Sequence, residues 1–168
     1  KRPSVLSVSP SLVHVFAKSS SKLKIPDLEF VMSPASFKEG TVGLLDKVSG
    51  MTLGVWQTRP KSNGYVKINS KNIHEPPIIN PNYLSDPYDV DVLLKSIKIG
   101  RNLLSTSPLQ PYLNGQTNPS YNLQTDDELL SWARNEGITV YHMIGTAKMG
   151  PKSDKLAVVN NKLQVRGI

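Results

Sequence analysis

The sequence contains no cysteine among its 168 residues. Disulfide bonds and thiolate metal sites are therefore excluded, and the redox compartment is left open. The chain also lacks any apolar run approaching the ~18 residues that a membrane-spanning helix needs, and it has no basic segment followed by an apolar leader. No membrane span is predicted, and a cytoplasmic location is expected over a secreted one.

Several catalytic and binding motifs are missing as well. No Gly-x-Ser-x-Gly is present, which argues against a serine hydrolase built around a nucleophile elbow. No Gly-x-Gly-x-x-Gly is present either, so the chain lacks a Rossmann-type site for the pyrophosphate of a dinucleotide. The histidines at positions 14, 74 and 142 have no carboxylate or second histidine at metal-ligand spacing, and no metal site is predicted.

The positive charge of the chain raises the question of an anionic partner such as nucleic acid. The formal net charge is +7, with basic residues scattered apart from a cluster at Lys18, Lys22 and Lys24. The arginine–aromatic alternation that binds single-stranded nucleic acid is absent, so no nucleic-acid partner is expected. With 38% hydrophobic and 20% charged residues, the composition is that of an ordinary globular domain.

Short β-favouring runs dominate the first part of the chain. Strands are predicted at residues 12–17, 28–32, 51–59 and 65–69, with shorter candidates at 158–159 and 163–165. The turn-forming cluster Pro60–Gly64 separates two of these runs, which are expected to pair with each other as an antiparallel hairpin. Residues 1–10 are basic and serine-rich and are interpreted as a connector.

Two helices are predicted in the second part. Asp86 can cap the first helix, in which apolar residues recur at helical spacing as far as Leu104. Thr125 and Glu128 form the capping-box pattern that begins the second helix, and Gly137 is placed to end it. Strands followed by helices indicate an α+β fold in which α-helices flank an antiparallel sheet. One domain over residues 1–168 is expected.

His142 is the residue best suited to chemistry. A β-favouring run at residues 138–141 leads to it, and the chain then turns through Gly145 and Gly150. An imidazole has an unperturbed pKa of roughly 6.5, so it can act as a base or, when protonated, stabilise an alkoxide. On this pattern alone, a histidine that only caps a turn is the alternative interpretation.

Two ordered stretches resemble one protein family. The segment Tyr141-His142-x-x-Gly145-Thr146-x-x-Met149-Gly150 resembles the active-site histidine segment of the glucose–methanol–choline (GMC) family of flavoprotein oxidoreductases. Residues 64–70 and 77–84, with the helix that follows them, resemble the substrate-binding part of the same family in the same order. The resemblance extends from about Trp56 to Ile168, and the branch that it looks like is the choline-dehydrogenase-like one.

Five residues are candidates for the functional site, three of them through the resemblance. His142 would be the catalytic residue that takes the alcohol proton while hydride passes to flavin, and Gly145 and Thr146 would lie near the flavin ring. Trp56 and Tyr83 are candidates for substrate binding. The structural alternatives are a core position for Trp56 and a turn-forming role for Tyr83.

The resemblance also implies a longer parent enzyme. The FAD-binding Rossmann half would precede this C-terminal substrate-binding part, and the second catalytic His or Asn would follow Ile168. FAD and a small-molecule alcohol are expected in the parent, whereas the fragment alone is expected to bind no FAD, to be inactive and to self-associate through an uncovered apolar surface. The alternatives are a stand-alone ligand-binding or vestigial module without catalysis and, within the same family, a hydroxynitrile lyase.

Overall fold

The computed structural model describes residues 9, 11–38 and 43–168, and its contacts divide the chain into two compact units. The first unit comprises Lys1–Ser62 and Leu84–Ile138, and the second comprises Asn63–Tyr83 and Thr139–Ile168. Neither unit is a continuous stretch of sequence, and the expectation of one domain over residues 1–168 stays a prediction. The connector predicted at residues 1–10 lies, apart from Ser9, outside the described residues.

The first unit contains a three-stranded antiparallel sheet in the order β1-β2-β3. Its strands are β1 (Val13–Ala17), β2 (Leu28–Ser33) and β3 (Thr52–Gln57). Val15 pairs with Phe30, and Phe30 pairs with Val55 on the other side. Because paired residues point to the same face of a sheet, these three apolar side chains form one surface.

Helix α1 (Pro87–Leu104) packs against that surface. Leu28, Phe30 and Val92 form the buried cluster of the first unit, with Leu53 and Val55 packed beside them. Burying a side chain of this size stabilises a fold by roughly 1.5–3 kcal/mol, so the cluster contributes several kcal/mol to the first unit. The α+β class is confirmed, because the described residues form antiparallel sheets and two α-helices.

Both predicted helix starts are confirmed. The Asp86 side chain accepts a hydrogen bond from the Tyr88 N–H at 2.8 Å, and Thr125 forms a full capping box with Glu128 at the start of α2 (Asp126–Glu136). Gly137 ends α2 with φ −64°, so left-handed backbone is not the reason for glycine there. A Cβ at this position would lie 2.2 Å from the carbonyl oxygen of Ala133, and only glycine allows that approach.

The predicted hairpin between residues 51–59 and 65–69 is wrong. Strand β3 pairs with β2, whereas the second run forms β4 (Tyr65–Lys67) and pairs with β5 (Ile78–Asn80) in the second unit. Strand β3 contributes apolar side chains to the core under α1, but β4 is exposed along its whole length. The turn-forming residues Pro60–Gly64 therefore did not determine which strand pairs with β3. Strand β3 pairs with β2 because the two strands build one core together.

Asp89 fixes the backbone of the segment that follows β3. Its carboxylate is 2% exposed and accepts hydrogen bonds from the backbone N–H groups of Lys61 (2.9 and 3.1 Å) and Ser62 (2.7 Å). Burial alone would raise the pKa of this carboxyl, but the hydrogen bonds from Ser62 and Lys61 outweigh burial and lower it. A carboxylate in the first turn of α1 thus binds the segment that follows β3.

The second unit is built from short ladders. Gly64 lies so close to β5 that a Cβ on it would be 2.0 Å from the carbonyl oxygen of Asn80. Near the C-terminus, Val159 makes isolated bridges to Met149 and Val165. The strands predicted at 158–159 and 163–165 therefore exist only as single bridges.

Candidate active-site histidine segment

His142 lies on an exposed turn of the second unit. Within the described residues, no hydrogen bond or ion pair engages its imidazole ring, so both ring nitrogens are available to a ligand. The β-favouring run at residues 138–141 does not form a strand. Tyr141 has φ +59°, which is left-handed backbone and cannot continue a strand.

Thr139 supplies the physical reason for that turn. Its side-chain oxygen accepts a hydrogen bond from the Tyr141 backbone N–H at 3.1 Å, which removes that donor from any ladder. The same oxygen accepts the phenolic hydroxyl of Tyr83 at 2.9 Å. One threonine hydroxyl thus joins the turn after β5 to the residue that directly precedes His142.

The backbone after His142 turns again at Gly145, which has φ +95°. A Cβ on Gly145 would meet no atom within 4 Å, so the space beside this residue is open. Ordered contacts resume at Lys148, whose carbonyl accepts the Val158 N–H at 2.9 Å and whose ammonium pairs with Asp154 at 2.8 Å. Within the described residues, the turn is thus anchored at its two ends.

Apolar side chains surround the histidine on this exposed turn. Tyr141, Met143 and Ile144 are 69%, 61% and 95% exposed, respectively. Large apolar side chains grouped in this way are typical of surfaces that another molecule or another part of the protein covers.

Trp56 is in the first unit, on the face of the sheet opposite α1. It pairs with Glu29 across the strands, and its indole N–H donates to Glu29 Oε2 at 3.1 Å. The other carboxylate oxygen of Glu29 lies 2.8 Å from His14 Nδ1. Trp56 is half-buried and does not belong to the buried cluster, so the core alternative is wrong, while its role in substrate binding stays a prediction.

The second unit contains four of the five residues singled out from the sequence. His142, Gly145, Thr146 and Tyr83 belong to it, and Tyr83 reaches the histidine segment through the Thr139 hydroxyl. Sequence reasoning missed Thr139, because Tyr83, whose hydroxyl donates to it, is 56 positions away and no local pattern connects the two residues.

No group of three or more His, Cys, Asp or Glu side chains in the described part of the chain is placed to hold a metal ion. Over the same residues, no helix has both the length and the apolar character that crossing a membrane requires.

The fold places the chain among α+β proteins whose antiparallel sheets are flanked by helices. Residues 60–168 match the model of the C-terminal part of the GMC oxidoreductases, which is most of the chain. The chain therefore belongs to the GMC oxidoreductase family, and the resemblance seen in the sequence is confirmed.

Characterised relatives agree with this assignment. The chain is 35% identical over 157 residues to an alcohol dehydrogenase [acceptor] of Pseudomonas putida, covering 91% of the chain and 27% of that protein. It is 35% identical over 146 residues to an oxygen-dependent choline dehydrogenase of Staphylococcus aureus (strain JH9), covering 86% of the chain and 25% of that protein. The chain thus spans about a quarter of the length of these relatives.

Solved structures share the fold. Pyridoxine 4-oxidase from Mesorbium loti aligns with a TM-score of 0.73 at 21% identity, over 93% of this chain and 30% of its own. An Aspergillus oryzae RIB40 formate oxidase, in a study of its FAD modification, aligns with a TM-score of 0.71 at 25% identity, over 88% of this chain and 26% of its own.

Proposed function

We propose that this chain is the C-terminal, substrate-binding part of an FAD-dependent alcohol oxidoreductase of the choline and alcohol dehydrogenase type. The observation that carries the proposal is His142, exposed and unbonded on an anchored turn, within a motif that resembles the active-site segment of the family. The names of the relatives support an alcohol as the substrate class, because two proteins at 35% identity are alcohol and choline dehydrogenases.

His142 would act on the hydroxyl group of the alcohol. Oxidation breaks the O–H bond and one C–H bond of the same carbinol, and the two electrons of the C–H bond leave as hydride. A ring nitrogen of His142 accepts the hydroxyl proton, which prevents a full negative charge from building on the oxygen. The imidazole is suited to this task because it exchanges a proton near neutral pH.

The residues beside His142 fit the approach of a flat ring. Gly145 has open space where a side chain would stand, and Thr146 next to it is exposed, so the backbone of this turn is accessible to a planar group. FAD, when bound, supplies the acceptor for the hydride. The chain contains no Gly-x-Gly-x-x-Gly turn, so the pyrophosphate of FAD would have to be held by residues outside this sequence.

The 168-residue chain alone would therefore bind no FAD tightly and would not turn over. The apolar side chains of Tyr141, Met143 and Ile144 would be covered in the longer protein and would promote self-association of the chain when it is separate. Trp56 and Tyr83 remain substrate-binding candidates under this proposal, and Tyr83 has the additional contact with Thr139.

The test is to sequence the DNA on both sides of this coding stretch and to express the complete frame. We expect an upstream Gly-x-Gly-x-x-Gly unit, a downstream His or Asn segment, and a purified product that carries FAD and is reduced by alcohols. A start codon and a stop codon that bracket these 168 residues would contradict the proposal, and so would a complete product without flavin.

A further inference from the structure

The turn that presents His142 has few fixed points. Within the described residues, no backbone hydrogen bond joins residues 142–147 to the rest of the protein. On the N-terminal side, the first anchor is the Thr139 hydroxyl, which holds the Tyr141 N–H at 3.1 Å and lies only three residues before the histidine.

Thr139 is itself held by a second contact. Tyr83 follows β5, and its hydroxyl donates to the same Thr139 oxygen at 2.9 Å. Tyr83 comes from a turn that is fixed separately, because Asn82 donates its side-chain N–H to the Asn63 carbonyl at 3.0 Å and its backbone N–H to Asn80 Oδ1 at 2.9 Å. A rigid turn is therefore connected to the residue before His142 by two hydrogen bonds through one oxygen.

The Thr139 hydrogen bond matters for His142 because it supports the left-handed backbone at Tyr141. A non-glycine residue seldom adopts φ near +59° without a local hydrogen bond that favours it. Without the Thr139 oxygen, Tyr141 would return to extended backbone, and the direction in which His142 leaves the chain would change. A shift of about 1 Å in a catalytic group can lower the rate on the order of 100-fold.

We infer that Thr139 and Tyr83 are positioning residues, which hold the His142 imidazole in the orientation needed for proton transfer. This inference rests on the proposed function of His142 and deepens it. It gives Tyr83 a role through the histidine segment that does not require contact with substrate. Thr139 acts through its oxygen, so serine should replace it and valine should not.

The test uses the complete flavin-loaded enzyme that carries this chain, with an alcohol substrate. Thr139→Val keeps the shape of the side chain and removes the hydroxyl, Tyr83→Phe removes only the phenolic oxygen, and Thr139→Ser retains the acceptor. Tyr112→Phe is the matched control, because Tyr112 is exposed and its hydroxyl makes no hydrogen bond within the described residues. His142→Ala is measured beside them.

We expect Thr139→Val to lower kcat by at least about 10-fold, with KM and flavin content little changed, because the lost contact orients the histidine rather than the substrate. Tyr83→Phe should lower kcat by roughly 3- to 10-fold, whereas Thr139→Ser and Tyr112→Phe should stay near the parent value. Hydrogen exchange at the Tyr141 amide should accelerate roughly 2- to 12-fold in Thr139→Val, as expected for one lost hydrogen bond, and should be restored in Thr139→Ser.

Each remaining outcome has a distinct meaning. If His142→Ala abolishes turnover while Thr139→Val and Tyr83→Phe keep kcat within about 2-fold and leave Tyr141 exchange unchanged, the positioning role is refuted and the proposed function stands. If His142→Ala turns over normally, the proposed function itself fails. Should Thr139→Val lose its flavin, Tyr83→Phe decides, since it removes one oxygen from an exposed side chain that lies outside the buried core.

Discussion

Asp89→Asn is the substitution whose effect on stability follows most directly from the structure. Asp89 is 2% exposed, and its two carboxylate oxygens receive the N–H groups of Lys61 and Ser62 at 2.7–3.1 Å. Asparagine has nearly the same shape but replaces one acceptor oxygen with an NH₂ group. That NH₂ group and a backbone N–H would then face each other as two donors without an acceptor, in a site closed to water.

Two contributions determine the magnitude. A hydrogen bond to a charged group contributes about 1.5–3 kcal/mol, and a negative charge in the first turn of a helix adds about 0.3–1 kcal/mol. We therefore expect Asp89→Asn to lower the free energy of unfolding of the first unit by roughly 2–4 kcal/mol. Urea denaturation followed by the helical circular dichroism signal measures this change.

Asp91→Asn is the matched control on the same helix. Asp91 is exposed and, among the described residues, forms an ion pair only with Lys95, four residues later, at 2.6 Å, so its replacement should cost less than about 0.5 kcal/mol. If the Asp89 and Asp91 variants unfold at the same urea concentration, the role assigned to the buried carboxylate is refuted.

The contribution of the Asp89 carboxylate to stability should depend on pH. Because the pKa of Asp89 is lower in the folded chain than in the unfolded chain, its contribution is fully present above the unfolded pKa of about 3.9 and is lost as the pH falls through the folded value. The stability difference between the parent chain and Asp89→Asn should therefore be constant near neutral pH and should shrink below about pH 4. A difference that grows on acidification would contradict the assignment.

Glycine and cap positions give further predictions. Gly64→Ala should cost roughly 3 kcal/mol and expose the β4–β5 amides to hydrogen exchange, since its Cβ would lie 2.0 Å from a carbonyl oxygen of β5; normal protection would contradict this. Gly100→Ala should instead raise the free energy of unfolding by up to about 1 kcal/mol, because its Cβ meets Leu53 at an ordinary 3.4 Å and alanine favours helix; a lower urea midpoint would refute the packing described for α1. Thr125→Ala should destabilise α2 by about 1 kcal/mol through loss of its cap, measured by the same denaturation, and an unchanged midpoint would show that the cap contributes nothing.

Local sequence signals predicted the helices well and the strand partners poorly. Asp86 and Thr125 mark helix starts because capping is a contact between residues two or three positions apart. The partner of β3 depends instead on which strands share a core, and residues 51–59 contain no information about β2, which lies about 20 positions earlier. The turn-forming residues Pro60–Gly64 lie between β3 and β4, but these two strands join different ladders.

In the histidine segment, too, local features were predictable from the sequence and contacts between distant residues were not. The sequence singled out His142 and the turn at Gly145, which the positive φ of Gly145 confirms. The run before His142 has a β-favouring composition but forms no strand, because a side-chain oxygen at Thr139 accepts the Tyr141 N–H and the backbone turns there. The contact with Tyr83 spans 56 positions and had no signal in the sequence.

Anaerobic mixing of the complete flavin-loaded enzyme with alcohol tests the catalytic role of His142 most directly. The rate of flavin bleaching is measured for the parent, for His142→Ala and for His74→Ala, an exposed histidine in the same unit. We expect His142→Ala to slow flavin reduction by roughly 100-fold or more with flavin still bound, and His74→Ala to leave it unchanged. Equal rates for all three proteins would contradict the account.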